Sequence, residues 1–403
     1  MKVLIVGAGP AGLMAAWSSA KKGNDVIVIE KNEKAGKKIY ITGKGRCNVT
    51  NKCSQEEWMN NIVSNPKFLY SAYAHFNCDD TMKFFEDLGV ALVVERGNRV
   101  FPQSYKASDI TKALKKKCAD SNVEINYLET VLDIKKEEEK FVVRTDRQVH
   151  KADKVLITTG GKSYPLTGST GDGYTFAKRF GHTIVPLVPG LNGIKIKDNL
   201  PSDMFNLGLK NVTLKVKCGK KEIQEFGELT FLNHLLEGPI SLTVSSLINR
   251  KNKEDVSISL DLKPALNEEK LDARILRDIL KLKIEKVPSL LRGLLPAPMV
   301  KYFAKIAKLD LEKQCNSITQ VERKRIVSLL KNFPLTYDGI DVLDKAIITA
   351  GGVNVKEINA KTMESKLVSG LYFAGEVLDL DAFTGGFNMQ IAFSTGKLAG
   401  DSM

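Results

Sequence analysis

Apolar and polar positions follow two rhythms along this chain, and the switches between them divide it. KVLIV, residues 2–6, is an unbroken apolar run, as a strand buried on both faces requires. GAGPAG follows at once, then LMAAWSSAKKG with helical spacing, then DVIVIE, a second buried strand that ends in an acid, Glu30. Residues 123–161 read as short strands around the charged turn KKEEEK and close on an apolar strand ending in TTGG. From about Leu191 the glycine-rich signals stop. GIKIKD, NVTLKVKCG, KEIQEFGELTF and DVSISLDL alternate like half-buried antiparallel strands. NEEKLDARILRDILKLK, SLLRGLLPAPMVKYFAKIAKL and TQVERKRIVSLLKNF then take helical spacing, punctuated by Pro288, Pro296 and Pro298. The final block, SGLYFAGEVLDLDAFTGGFNMQIAFSTGKLAG, returns to strand, acid, glycine loop and small-residue helix.

The opening order of strand, glycine turn, helix and acid-tipped strand gives the GxGxxG its full βαβ context, with Glu30 eighteen residues past Gly12. Gly7 lets the chain turn, Gly9 lets backbone N–H groups approach a diphosphate, and Gly12 with Ala15 and Ala16 lets the helix lie close on the sheet. The helix N-terminus faces the diphosphate charge. Glu30 accepts from ribose hydroxyls and repels a 2'-phosphate, so FAD or NAD fits this site and NADP does not. Lys2, the apolar run and the small residues also suit a secretory leader, but a leader needs no glycines at 7, 9 and 12.

The strand meander before TTGG favours a flavin domain of the glutathione-reductase type, because a simple nicotinamide dehydrogenase continues with further βα units. In that fold Glu376, after LYFAG, binds a ribityl hydroxyl. The last helix directs its positive end at the isoalloxazine pyrimidine edge. The two chain ends then build one site. The expected architecture is α/β: a Rossmann-type FAD-binding domain from residues 1–190 and 340–403, interrupted by an inserted β domain at 191–262, a small barrel, and an inserted helical domain at 263–339.

Composition narrows the chemistry. The chain has 403 residues and 43% hydrophobic content, which suits a globular protein of two or three domains. No run after the first approaches the roughly 18 apolar residues of a membrane span, and a cytoplasmic location is expected. Six scattered cysteines make no disulfide framework, and histidines 75, 150, 182 and 234 show no ligand spacing, so no metal site is expected. Of the net charge of +13, residues 190–339 carry +8, from 26 cations and 18 anions. That middle could attract nucleic acid, but its charge runs lack interleaved aromatics and read as solvated helix faces.

GKGRCNVTNKC, residues 43–53, raises a separate question. Cys47 and Cys53 are separated by five residues, where the redox pair of flavin disulfide reductases has four. Cations at 44, 46 and 52 would lower a thiol pKa and make Cys47 reactive. The favoured reading is a loop over the cofactor, with Cys47 packed beside it.

GAGPAG, GKKIYITGKGRCNVTN, NRVFPQSYKASDI, TTGGKSYPLTGSTGDGYTFAKRFGH and the block from AIITAGG to NMQIAF occur in one order. Together they resemble the bacterial NAD(P)/FAD-dependent oxidoreductase flavoproteins, aminoacetone-oxidase-like, to which bile-acid reductase flavoproteins belong. The resemblance implies that Gly7, Gly9, Pro10, Ala11, Gly12, Glu30 and Lys31 hold the ADP half. It places Lys37, Lys38, Arg46, Cys47 and Asn48 on the loop near the flavin and Val131 at the adenine. Thr159, Gly160, Gly375, Glu376, Asn388, Met389 and Gln390 complete the grip. FLNHLLEGPIS departs from the family pattern: Leu232 and Asn233 stand where Thr and His are usual, and Glu237 replaces Ser.

The implied activity is FAD-dependent hydride transfer to or from a small or hydrophobic organic substrate, with NAD(P)H as a transient reductant. GSTGDG, residues 168–173, lacks the spacing of a second dinucleotide turn. Asn48 and Tyr164 are the candidates for moving a proton. The alternatives are a flavoenzyme that modifies RNA and a non-enzymatic flavin-bound sensor. The insert shapes a substrate pocket or binds a partner.

Overall fold

Parallel pairing of the apolar runs builds the first of two units, residues 1–190 with 342–403, in a computed structural model that describes all 403 residues. Its strands are β1 (Lys2–Val6), β2 (Asp25–Glu30), β3 (Glu124–Tyr127), β4 (Lys154–Ile157) and β5 (Leu371–Phe373). They lie in the order β5-β4-β1-β2-β3, all parallel. Val3, Leu4, Ile5, Val28, Val155, Leu156 and Ile157 are fully covered, as the unbroken apolar runs require.

Helix α1 (Pro10–Lys21) joins β1 to β2, with Pro10 at its first position, where a missing N–H costs nothing. An antiparallel ribbon of Val131–Glu137, Lys140–Thr145 and Val149–Ala152 joins β3 to β4, matching the expected meander. Helix α2 (Cys78–Asp87) begins at a capping box formed by Asn77 and Asp80. Helix α3 is Asp172–Arg179, and the last helix, α4, is Phe387–Ser402. Ile184–Gly190 pairs antiparallel with Ile348–Val353, so the chain leaves this unit and re-enters it on adjacent strands.

The second unit, residues 191–341, holds a seven-stranded antiparallel sheet and five helices. The sheet runs Phe333–Leu335, Val256–Asp261, Leu207–Cys218, Lys221–Leu232, Leu235–Glu237, Ile194–Ile196, Tyr337–Ile340. The expected barrel is corrected here: no closed barrel forms. The two edge segments are consecutive in sequence, separated only by Thr336, and pieces of one bent run do not pair with each other. The expected β and helical parts also share one apolar core.

The long helical stretch breaks at Pro296 into Val287–Arg292 and Ala297–Ala307. Pro239–Ile248 is a further helix without an amphipathic pattern, because it buries serines as well as aliphatics. Ser246 and Ser245 accept the N–H groups of Leu191 and Asn192 at 2.9 Å and so anchor the entering chain. No helix in either unit is long and apolar enough to cross a membrane. No three His, Cys, Asp or Glu side chains gather as metal ligands would.

Behind the parallel sheet, His182 ties the end of α3 to the segment before β5. Its Nε2 faces Ser365 Oγ at 2.8 Å and its Nδ1 faces Glu357 Oε2 at 3.1 Å. Ser365 Oγ already accepts the N–H groups of Leu367 and Val368, so its proton goes to Nε2 and the ring is neutral. Burial holds the imidazole below its ordinary range, against the pull of Glu357. The unfolded state therefore binds this proton more readily, and stability is lost as pH falls through about 6.5. Thermal midpoints of the wild type and His182→Gln between pH 8 and pH 5 should show the variant less stable at pH 8 and flatter toward acid. Parallel profiles would remove His182 from the pH response.

Candidate cofactor-binding site

The turn after β1 is shaped by two close approaches. A Cβ at Gly12 would stand 2.0 Å from the Gly7 carbonyl, and Gly7 has φ +103 with the Thr158 carbonyl 2.8 Å from its would-be Cβ. At Gly9 a Cβ would meet only the Thr158 carbonyl, at 4.0 Å. The protein itself thus demands glycine at 7 and 12 and leaves the approach to Gly9 clear, as a ligand-facing glycine should be. Ala11 and Gly12 lie in the first turn of α1, where N–H groups lack intrahelical acceptors. Glu30 is buried at the tip of β2, with Oε2 accepting the Ala8 N–H at 2.8 Å and Oε1 accepting the Asn32 N–H at 2.8 Å. The Glu129 N–H donates to the Glu30 carbonyl at 3.1 Å, which brings Val131 near the same edge.

Lys31, expected at the ADP half, is engaged by the protein itself. Its ammonium donates to Asp172 at 2.7 Å and to the Thr170 hydroxyl. Lys37 is likewise engaged, by Glu33 at 3.2 Å and Asn32 at 3.4 Å.

Beyond β4 and β5 the other half of the site converges on one carboxylate. Glu376 receives Lys38 Nζ at 2.9 and 2.8 Å and the Thr349 N–H at 2.9 Å. Lys38 also donates to Ser163 Oγ at 2.7 Å. Glycines wall this cluster because nothing larger fits: a Cβ at Gly161 would lie 2.4 Å from Thr349 Oγ1 and 3.0 Å from Glu376 Oε1. Gly160 and Gly375 have φ of +74 and +78, and the Gly375 N–H donates to Thr395 Oγ1 at 3.0 Å. Thr159 Oγ1 is buried without a protein partner, in the space that the missing Cβ of Gly173 leaves, 2.2 Å from where that atom would stand. Ser163 and Thr349 were missed in sequence because an isolated Ser or Thr carries no spacing signal.

Helix α4 packs beside this cluster at its third turn, where Thr395 accepts the Gly375 N–H. Of the residues expected at the cofactor, Gln390 and Asn388 also bond within the protein. Gln390 is fully buried: Oε1 accepts from Thr50 Oγ1 at 2.6 Å, and Nε2 donates to the Phe76 carbonyl at 3.1 Å and Ser394 Oγ at 3.0 Å. Asn388 binds the backbone of Ala382 at 3.0 and 2.8 Å, and Met389 is buried. Asn48, oriented with its amide nitrogen toward the Val100 and Thr50 carbonyls, accepts the Gly386 N–H at 2.9 Å. Its hydrogen-bonding capacity is taken by backbone, so it tethers the loop to α4. Tyr164 stays 38% exposed at φ +51, with its phenol unencumbered.

The loop carrying the two cysteines is stapled elsewhere. Arg46 pairs with Glu95 at 3.0 Å and stacks on Phe101 at 4.4 Å. Cys47 has φ +58 and is wholly buried, and burial pushes its thiol up to about 12. The expectation of a reactive Cys47 is therefore overturned: desolvation outweighs the neighbouring cations. Cys53 sits beside Cys78 at the start of α2, whose thiol Cys53 draws down to about 7. At pH 8 iodoacetamide should alkylate Cys47 in the native protein slower than in the unfolded chain by on the order of a thousandfold. Native labelling at the unfolded rate, followed by peptide mass spectrometry, would contradict this burial.

The geometry fits an FAD: a diphosphate turn, a ribose acid, a carboxylate with its cation, and a helix N-terminus, all in one unit. Over residues 1–402 the chain matches the family described as the HI0933-like protein Rossmann domain. A 3-dehydro-bile acid delta(4,6)-reductase of Clostridium scindens is 28% identical over 409 residues, 99% of this chain and 98% of that protein. A ribosomal RNA dihydrouridine synthase of Haemophilus influenzae is 30% identical over 400 residues, 97% of this chain and 96% of that protein. The solved 3-ketosteroid-delta4-(5alpha)-dehydrogenase of Rhodococcus jostii shares the fold, with a TM-score of 0.53 at 13% identity over 99% of this chain and 96% of that one. This chain belongs to the HI0933-like Rossmann-domain family and is an FAD-dependent oxidoreductase.

Proposed function

We propose that this flavoenzyme saturates a carbon–carbon double bond conjugated to a carbonyl in a small, hydrophobic substrate. The two near-full-length relatives carry the support, because their names describe one bond change on unlike molecules. A 3-oxo steroid with unsaturation at positions 4 and 6 is a conjugated ketone. Dihydrouridine is uracil with its ring double bond, also conjugated to a carbonyl, saturated.

Bound FAD, once reduced, supplies the hydride. Conjugation lets the carbon β to the carbonyl receive it, while the α carbon takes a proton. The chain binds and orients: Gly9 and the α1 N-terminus hold the diphosphate, and Glu30 the ribose. The first-turn N–H groups of α4 favour negative charge at the flavin edge, beside a Lys38–Glu376 pair whose charges cancel. Tyr164 is the better proton donor of the two candidates, since the Asn48 amide is occupied by backbone. GSTGDG supplies Asp172 to Lys31 and forms no second dinucleotide turn, so a nicotinamide reductant would have to reach the flavin as a transient visitor.

A second reading, the same chemistry on a uracil base in RNA, draws on the +8 charge of residues 190–339. Anaerobic stopped-flow separates the readings. Photoreduced holoenzyme should be reoxidised by a steroid 4-en-3-one and not by its saturated ketone. Tyr164→Phe should slow this step by about a hundredfold. Reoxidation by a uridine-containing RNA alone, weakening steeply with salt, would favour the second reading. Reoxidation by oxygen and by no conjugated alkene would overturn both.

A further inference from the structure

The segment that follows β4 is pinned to the residues that follow β2. Lys31 donates to Asp172 at 2.7 Å and to Thr170 Oγ1, and Thr170 Oγ1 donates to Asp172 at 3.0 Å. One residue further, Asn32 Nδ2 donates both to Glu30 Oε1 at 2.7 Å and to the Thr167 carbonyl at 3.1 Å. The two sides are in contact, since a Cβ at Gly168 would stand 2.4 Å from Asn32 Nδ2.

Strand order gives this contact its meaning. β1 lies between β4 and β2, so a segment that leaves β4 and is tied beyond β2 crosses the carboxyl end of β1. That end carries the Gly7–Gly12 turn, where the dinucleotide is gripped. The crossing segment is shaped by three left-handed residues, Tyr164 at φ +51, Gly168 at +99 and Gly171 at +87. Its short turn Pro165–Thr167 buries no residue, and Leu166 is 90% exposed. Apolar packing therefore contributes little to holding the turn down. Polar contacts hold it instead: the Lys162 and Ser163 N–H groups on Thr349 Oγ1 and the Tyr164 N–H on the Asp344 carbonyl secure its near side, and Lys31 and Asn32 secure the far side.

We infer that residues 162–172 form a clasp across the dinucleotide groove, latched by Lys31 on Asp172 and by Asn32 on Thr167, and that unlatching limits FAD exchange. Lys31 is then a positioning residue that acts through Asp172. Asn32 couples the clasp to Glu30, the ribose acid, so both ends of the latch report on one bound nucleotide. With side chains 26% and 38% exposed, the Lys31–Asp172 pair is open to salt, and FAD exchange should quicken as ionic strength rises.

The test uses holoenzyme whose bound FAD is established by absorbance, and follows the rise of free-FAD fluorescence after dilution. Asp172→Ala should speed dissociation by about threefold to tenfold, and Asp172→Glu should return it close to the wild-type rate. Lys31→Ala with Asp172→Ala should be no faster than either single variant, because both remove the same latch. A wild-type rate in Asp172→Ala would overturn the clasp. So would single-variant effects that multiply in the double, which would make Lys31 a direct ligand independent of Asp172.

Discussion

The site depends on how closely the first and last helices approach. A Cβ at Gly396 would stand 2.4 Å from the Ala11 carbonyl, and one at Gly400 would stand 2.5 Å from the Ala15 carbonyl. Gly375 continues the seam, with its would-be Cβ 2.9 Å from Ala11 Cβ. Glycines and alanines at these positions let the α1 and α4 backbones nearly touch. The first turn of α1 thereby lies directly against the third turn of α4. Larger side chains would separate them, at a cost comparable to overpacking a core, about 1–3 kcal/mol each. Phe393 and Gln390 fix the same helix from its other side, one by full burial and one by three hydrogen bonds.

This seam also explains why the middle of the chain can be an insertion. The two halves of the nucleotide domain meet through α1 and α4 and through the paired strands Ile184–Gly190 and Ile348–Val353. The chain can thus leave and return between neighbouring strands without disturbing the groove. Within the groove the charges are few and matched. Lys38 and Glu376 are each 22% exposed, and Ser163 and the Thr349 N–H complete their bonding. Removing either ion would leave its partner half-desolvated, a larger loss than for an exposed pair.

Backbone-dictated features were legible in the sequence. Gly7, Gly12 and Glu30 signal themselves because spacing and chirality leave few other reasons for those residues there. The unbroken apolar strands and the alternating strands of the second unit were equally plain. Polar side chains were not: an Asn or Gln that binds a cofactor and one that ties backbone look alike, and the bonds of Asn48 to Gly386, Asn388 to Ala382 and Gln390 to Phe76 carry no local signature. Cys47 misled for a related reason, since sequence shows neighbouring cations but not burial. The Lys31–Asp172 pair joins positions 141 residues apart and has no local signature. Closure of a barrel could not be read from strand patterns, because it depends on which edges pair.

The most direct measurement is to purify the protein, denature it, and identify and count the flavin released per chain. The account predicts one FAD for each polypeptide, because the site has a diphosphate turn and a ribose acid as well as a flavin edge. Release of FMN, or of no flavin from protein refolded with excess FAD, would contradict it.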